Sequence, residues 1–200
     1  IKGPHAQKLI TLDGYPLTKA IEGLNIYSNN YIADMLVKSL GAASQGNRPG
    51  SGSLASGLKV IESFLQDKIG MRQSFVLKNG SGLDTGNRLS AKQIAQVLYY
   101  MANSLEIFPE FLASLPASGL TGTLEKRFDD LPNLKNGAVR AKTGTLTSPI
   151  TVASLAGYVK HNKQGLLAFV IVSNGNESKS QPSLVALRQQ HERIIASYLR

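Results

Sequence analysis

The chain has 200 residues, 42% of them hydrophobic, and a formal charge of +9 from 22 basic and 13 acidic side chains. That length and apolar content suit one globular domain with a sizeable core. With no run of about eighteen or more apolar residues, nothing in the sequence is built to span a membrane.

Cysteine is absent, which fits an oxidising envelope compartment where a stray thiol is a liability. The basicity predicts attraction to anionic polymers. It is scattered, however, with no basic run and no aromatic-basic interleaving, so it reads as a general field and not as a nucleic-acid groove. The chain starts at Ile1, and residues 1–30 lack a charged-then-apolar leader pattern. The expectation is a processed or truncated piece with something upstream.

Residues 15–27 lead into "YSNNYIADMLVKSLG" (27–41), where Ile32, Met35, Leu36 and Leu40 recur at helical spacing. Ser28 or Asn29 is the expected N-cap and Gly41 the expected C-terminal cap. A Gly- and Ser-rich loop over 42–53 precedes an amphipathic helix carrying Leu54, Leu58, Ile61, Leu65 and Ile69, closed by Gly70. "SFVLK" (74–78) reads as a short strand and "NGSGLDTGN" (79–87) as a loop. Ser90 caps a further helix with Ile94, Val97, Leu98 and Met101, and residues 104–136 are mixed, punctuated by Pro109, Pro116 and Pro132.

From residue 138 the period changes to two. "AVRAKTGTL" is followed by "VASLAGYVK" (152–160), a turn at "HNKQG" and "LLAFVIVSN" (166–174), the last two a hairpin. A helix over 183–199 closes the chain. The expected fold is α+β, an antiparallel β-sheet flanked by helices.

The residues that carry chemistry are sparse. His5, His161 and His191 lie far apart without metal-ligand spacing, so each is expected at the surface or in a turn. No metal and no other cofactor is called for. No G-x-S-x-G elbow and no phosphate-binding G-K-[ST] ending occurs. Two short motifs stand out: S-x-N at Ser28 and Asn30, at the mouth of a helix, and K-T-G at Lys142, Thr143 and Gly144, on a strand leading into a hairpin. Together, in this order and context, they match two of the three motifs of penicillin-binding proteins and class A β-lactamases.

Acyl transfer through a serine needs a base, a proton path to the leaving amine and donors for the oxyanion. Ser28 can relay a proton if a cation tunes it, and Lys142 is that candidate cation. Asn30 can grip a substrate amide. Thr143 and Thr145 can bind a carboxylate, Gly144 lets a peptide lie along the strand edge, and the Thr145 N–H is a candidate oxyanion donor. Strict alternation aims Lys142 away from Thr143, so both serve one site only if it straddles the strand's edge.

"IYSNNYIADMLVKSLG", "LKNGSGLDTGNRLSAKQIAQVL", "LTGTLEKRF" and "VRAKTGTLTSPITVASLAGYV" resemble blocks of class C low-molecular-mass penicillin-binding proteins, from about Tyr15 to Asn176. The resemblance implies the DD-peptidase/serine β-lactamase fold, with a five-stranded sheet. It also implies D-Ala-D-Ala carboxypeptidase or endopeptidase activity on peptidoglycan stem peptides, acylation by β-lactams, and a place in the periplasm or on the outer cell surface. It makes Ser28, Asn30 and Lys142 catalytic and Thr143, Gly144 and Thr145 substrate-binding.

In that family an S-x-x-K precedes the S-x-N, and nothing before Ser28 matches it. The formal "SGLK" at Ser56–Lys59 is out of order, and Ser56 reads as the N-cap of a 57–69 helix. The chain is therefore expected to be the C-terminal portion of a single domain, residues 1–200. The nucleophile and the first strands of the sheet would lie in an N-terminal part of the same protein, which would be its partner. A catalytically inactive peptidoglycan-binding module of the same fold would carry the same residues here. A basic nucleic-acid-binding domain would leave both motifs unexplained.

Overall fold

Three period-two segments make the sheet. The computed structural model describes residues 10, 13–46, 52–129, 131, 134–176 and 180–199. In it β1 (Val139–Leu146), β2 (Val152–His161) and β3 (Gly165–Asn174) pair antiparallel in the order β1-β2-β3. Lys142 faces Ala156 and Gly144 faces Ser154 across the first pair; Gly157 faces Phe169 across the second.

Alternation along β2 decides what covers each face. Leu155 and Val159, with Val139 and Ala141 of β1, bury against Leu124, Phe128 and Ile195, the last on α6 (Leu184–Tyr198). Tyr158 points the other way, into a cluster with Leu98 and Leu115 beside α4 (Ala91–Ala102) and α5 (Phe108–Ser114). Its hydroxyl donates to the Leu98 carbonyl at 2.7 Å, and Phe108 and Phe111 meet its ring edge-on. Helices therefore cover both faces, the expected α+β layering. The sheet has three strands among the described residues where the resemblance implied five. No described strand pairs with the outer edge of β3, on which Leu166 and Val172 are exposed.

The helical half corrects several expectations. Residues leading into the first expected helix form one of their own, α1 (Leu17–Tyr27), and α2 (Asn30–Ser44) runs past Gly41. Gly41 is not a cap. It is buried where α2 crosses α3 (Leu54–Asp67), and a Cβ there would strike Ser56 Oγ and come within 2.8 Å of the Gly57 nitrogen. A Cβ on Gly57 would run into the Val37 carbonyl oxygen. This close backbone approach requires glycine on both helices.

Ser56 is not the N-cap either. Ser53 is, accepting from the Ser56 N–H at 3.0 Å, while Ser56 Oγ accepts from the Ser53 N–H at 3.1 Å, a capping box. Ser90 caps α4 as read, in a second capping box with Gln93. The expected strand over 74–78 reduces to one bridge, Val76 with Arg88. Its neighbour is only the return of its own loop, whose Asn87 side chain takes the Lys78 N–H at 2.8 Å.

His161 is the last residue of β2, at the mouth of the β2–β3 turn, its Nδ1 accepting from the Lys163 and Gln164 N–H groups. His191 is buried instead, because its position on α6 faces the sheet, with Nε2 2.9 Å from Ser173 Oγ. Desolvation, reinforced by the Arg127 charge, holds its pKa below the ordinary value. His5 lies outside the described residues. One packing prediction arises here. Gly57→Ala should cost about 3 kcal/mol, since the added methyl must push α2 and α3 away from each other. Urea unfolding checks it, and an unchanged midpoint contradicts the close crossing.

Candidate active site

The junction of α1 and α2 leaves two residues to reverse the chain. Ser28 takes the left-handed conformation, φ 53° and ψ 49°, and its N–H closes α1 on the Leu24 carbonyl. The N-cap of α2 is Asn29, which accepts from the Ile32 N–H at 3.0 Å. A side-chain-bearing residue in this conformation costs about 1 kcal/mol or more. What the corner achieves is direction, for Ser28 Oγ lies 2.6 Å from Lys142 Nζ on β1.

β1 is an edge strand, and this reconciles Lys142 with Thr143. The outer-edge backbone groups belong to the odd-numbered residues. Val139 O and Ala141 N–H are taken by Ser118 N–H and Pro116 O. Lys142 curls over the same edge to donate to the Thr143 carbonyl at 2.7 Å. Thr143 Oγ1 donates to Thr123 Oγ1 at 3.0 Å, and Thr145 Oγ1 accepts from Arg188 at 3.3 Å. By the same alternation the Thr143 and Thr145 N–H groups point outward, where no described protein group accepts from them. Gly144 has a further reason to be glycine, because a Cβ there would strike Ser154 Oγ on β2.

These groups border one cavity of about 640 Å³. All six residues singled out in the sequence line it: Ser28, Asn30, Lys142, Thr143, Gly144 and Thr145. The loop 80–83 forms another wall. It is pinned to α2 by Asp34, whose Oδ1 accepts from the Gly80 and Ser81 N–H groups at 2.9 and 3.0 Å. Ser56 and Lys59 do not line this cavity.

The sequence reading missed Thr123, Arg127 and Arg188, all in the lining. Thr123 and Arg127 lie within the quoted "LTGTLEKRF" block, which was a usable signal; Arg188 carries none. Arg127 Nε meets Glu192 Oε1 at 2.6 Å and its Nη2 donates to the Arg188 carbonyl at 3.2 Å.

The electrostatics favour an anionic ligand. Arg127, Lys142 and Arg188 line the cavity, and among the described residues no Asp or Glu does. Burial pushes Lys142 down from 10.5 to about 8, so it is protonated at neutral pH but poised to give the proton up. An ammonium has no acceptor, so Ser28 Oγ must accept from it, which frees the Ser28 hydroxyl hydrogen for a partner in the cavity.

A helix corner and an edge strand meet across the cleft, on a sheet covered by helices, and the solved structures on which the chain superimposes put it in the DD-peptidase fold class. The chain belongs to the D-Ala-D-Ala carboxypeptidase 3 (S13) family, which it matches over residues 2–195. It is 35% identical over 177 residues to a D-alanyl-D-alanine carboxypeptidase of Actinomadura sp. (strain R39), covering 86% of this chain and 30% of that protein. It is 33% identical over 163 residues to the D-alanyl-D-alanine carboxypeptidase DacB of Haemophilus influenzae, covering 80% of this chain and 32% of that protein. It superimposes on the crystal structure of penicillin binding protein 4 (dacB) from Haemophilus influenzae, complexed with a novel beta-lactam. The TM-score is 0.78 at 27% identity, over 92% of this chain and 42% of the other. The chain thus spans about a third of the length of the curated relatives.

Proposed function

We propose that this chain is the C-terminal portion of a single penicillin-binding domain and supplies half of a serine-type D-Ala-D-Ala carboxypeptidase/endopeptidase site. The observation that carries the reading is the 2.6 Å hydrogen bond from Lys142 to Ser28, joining the two motifs across the cavity. The nucleophilic serine and its base come from an N-terminal part of the same protein, outside these 200 residues. Its strands would also cover the open edge of β3.

In the reaction that serine attacks the carbonyl of the penultimate D-Ala, and its proton passes to its own base. The peptide lies antiparallel along β1, its oxyanion taken by the Thr145 N–H. Asn30 holds the substrate amide, and Thr143 and Thr145 hold the carboxylate. As the C–N bond breaks, Ser28 gives its proton to the leaving amine and recovers one from Lys142. Water then hydrolyses the acyl-serine. No cofactor enters. β-Lactams acylate the same serine, and peptidoglycan as substrate places the protein in the periplasm or on the outer cell surface.

The test is D-Ala release from diacetyl-L-Lys-D-Ala-D-Ala by the protein as its host makes it. Release that benzylpenicillin blocks is the expected result. Peptide binding without release leaves the inactive peptidoglycan-binding module, and neither binding nor release sinks both readings.

A further inference from the structure

We infer that Asp34 is a positioning residue for peptide turnover, holding the 79–87 loop in place as the wall that the Asn30-bound part of the substrate meets. This rests on the activity proposed above.

The loop is closed upon itself. Asn79 Oδ1 accepts from the Gly82 N–H at 3.1 Å and from Asn87 Nδ2 at 2.9 Å, and Asp84 Oδ1 accepts from the Gly86 N–H at 2.7 Å. At its neck Val76 and Arg88 exchange backbone hydrogen bonds of 2.9 and 2.8 Å. Residues 79–87 therefore hold their own shape and move as one body. Among the described residues, two hydrogen bonds tie this body to another element, and Asp34 Oδ1 accepts both, from the Gly80 and Ser81 N–H groups.

The contact is close. A Cβ on Gly80 would come within 2.6 Å of Val37 Cγ2 and 3.0 Å of the Ala33 carbonyl oxygen, so the loop lies directly on α2. Successive N–H groups converging on one carboxylate oxygen are charge-assisted bonds, stronger than neutral ones. Asn30 stands one helical turn before Asp34, on the same side of α2. It lines the cavity together with Ala33 and residues 80–83. The part of the substrate that Asn30 grips thus lies against this wall, whereas a ligand confined to β1 makes no use of it. Without Asp34 the wall is no longer docked before substrate arrives, and binding must supply its ordering. The competent fraction falls, which weakens apparent affinity while the bound complex stays the same.

The experiment uses the protein as its host makes it, as wild type, Asp34→Ala and Asp34→Asn. Active sites are counted by benzylpenicillin adduct, so misfolded molecules drop out. Asp34→Ala should raise KM for diacetyl-L-Lys-D-Ala-D-Ala about tenfold with kcat within about twofold of the wild type. Acylation by 6-aminopenicillanic acid, a β-lactam nucleus without an acyl side chain, should keep its rate constant within about twofold. Amide exchange in a peptide covering 79–83 should quicken in the same variant. Asp34→Asn keeps an acceptor at the same place without the charge, and its KM should rise only about threefold. If Asp34→Ala takes up no penicillin, Asp34→Asn alone decides by the same comparison. A wild-type KM in both variants, or equal losses with peptide and nucleus, overturns the role of Asp34 while leaving the activity intact. A wild type that neither releases D-Ala nor takes up penicillin overturns the activity reading, and the assignment of Asp34 with it.

Discussion

Replacing Lys142 with Met is expected to slow turnover about a thousandfold and at the same time to stabilise the protein. The loss follows from removing the group that tunes Ser28 and restores its proton, within the range typical of a positioned acid or base. The gain follows from burial. A pKa lowered from 10.5 to about 8 corresponds to about 3 kcal/mol of cost to the charged form, which solvent at the partly exposed head reduces to about 2 kcal/mol. Met follows the same path without charge, and the cavity is open enough for water to take over the Ser28 and Thr143 oxygens. Urea unfolding at pH 7 should therefore show a gain of about 1–2 kcal/mol in Lys142→Met.

The pH dependence has a definite sign. Between about 8 and 10.5 the native state holds fewer protons on Lys142 than the unfolded chain does. This group's contribution to stability therefore rises with pH across that window and is lost as pH falls through about 8. The Met variant should lack that rise. Activity runs the other way, because protonated Lys142 is needed, and kcat/KM should fall above about pH 8. In Lys142→Arg, whose charge persists, that limb should vanish even if the rate is lower. A Met variant that is both inactive and destabilised would make Lys142 a structural residue.

Ser28 gives the second large effect. Ser28→Ala should lower kcat/KM for the peptide about 100- to 1,000-fold, since the leaving amine loses its proton donor. Ala remains in the strained left-handed region, so stability should change little. Ser28→Gly loses the same hydroxyl but relaxes the corner, for which φ 53° suits glycine. It should be more stable by about 1 kcal/mol and equally slow. A Gly variant that keeps full activity would show that the hydroxyl transfers nothing.

Where sequence reading succeeded, the signal was periodic or local. The three strands and α6 follow from apolar spacing, and the cap at Ser90 is a local signal at the start of its helix. S-x-N and K-T-G were legible because each is short, although nothing local reveals that they face each other. The failures share a cause. Gly41 resembles a helix end by residue type, but its role is to let α3 approach, and the partner glycine is sixteen residues away in sequence. Of the two residues read as N-cap, Ser28 or Asn29, it is Asn29 that caps α2; the left-handed corner at Ser28 follows from α1, whose own periodicity was not separated. His191 and Arg188 sit on one helix and meet β3 and β1, so their surroundings exist only once the sheet has formed. Gly144 was read for the approach of substrate, and the side chain of Ser154 adds a reason that only the β1–β2 register supplies.

The account depends on the two motifs serving one acylation site whose nucleophile comes from beyond these residues. Its most direct test is to label the host-made protein with a fluorescent penicillin, digest it and map the modified serine by mass spectrometry. The predicted result is a single acylated serine in a peptide outside residues 1–200, formed at least about a hundredfold more slowly in Lys142→Met. An adduct on Ser28 or Ser56, or a labelling rate indifferent to Lys142, would contradict it.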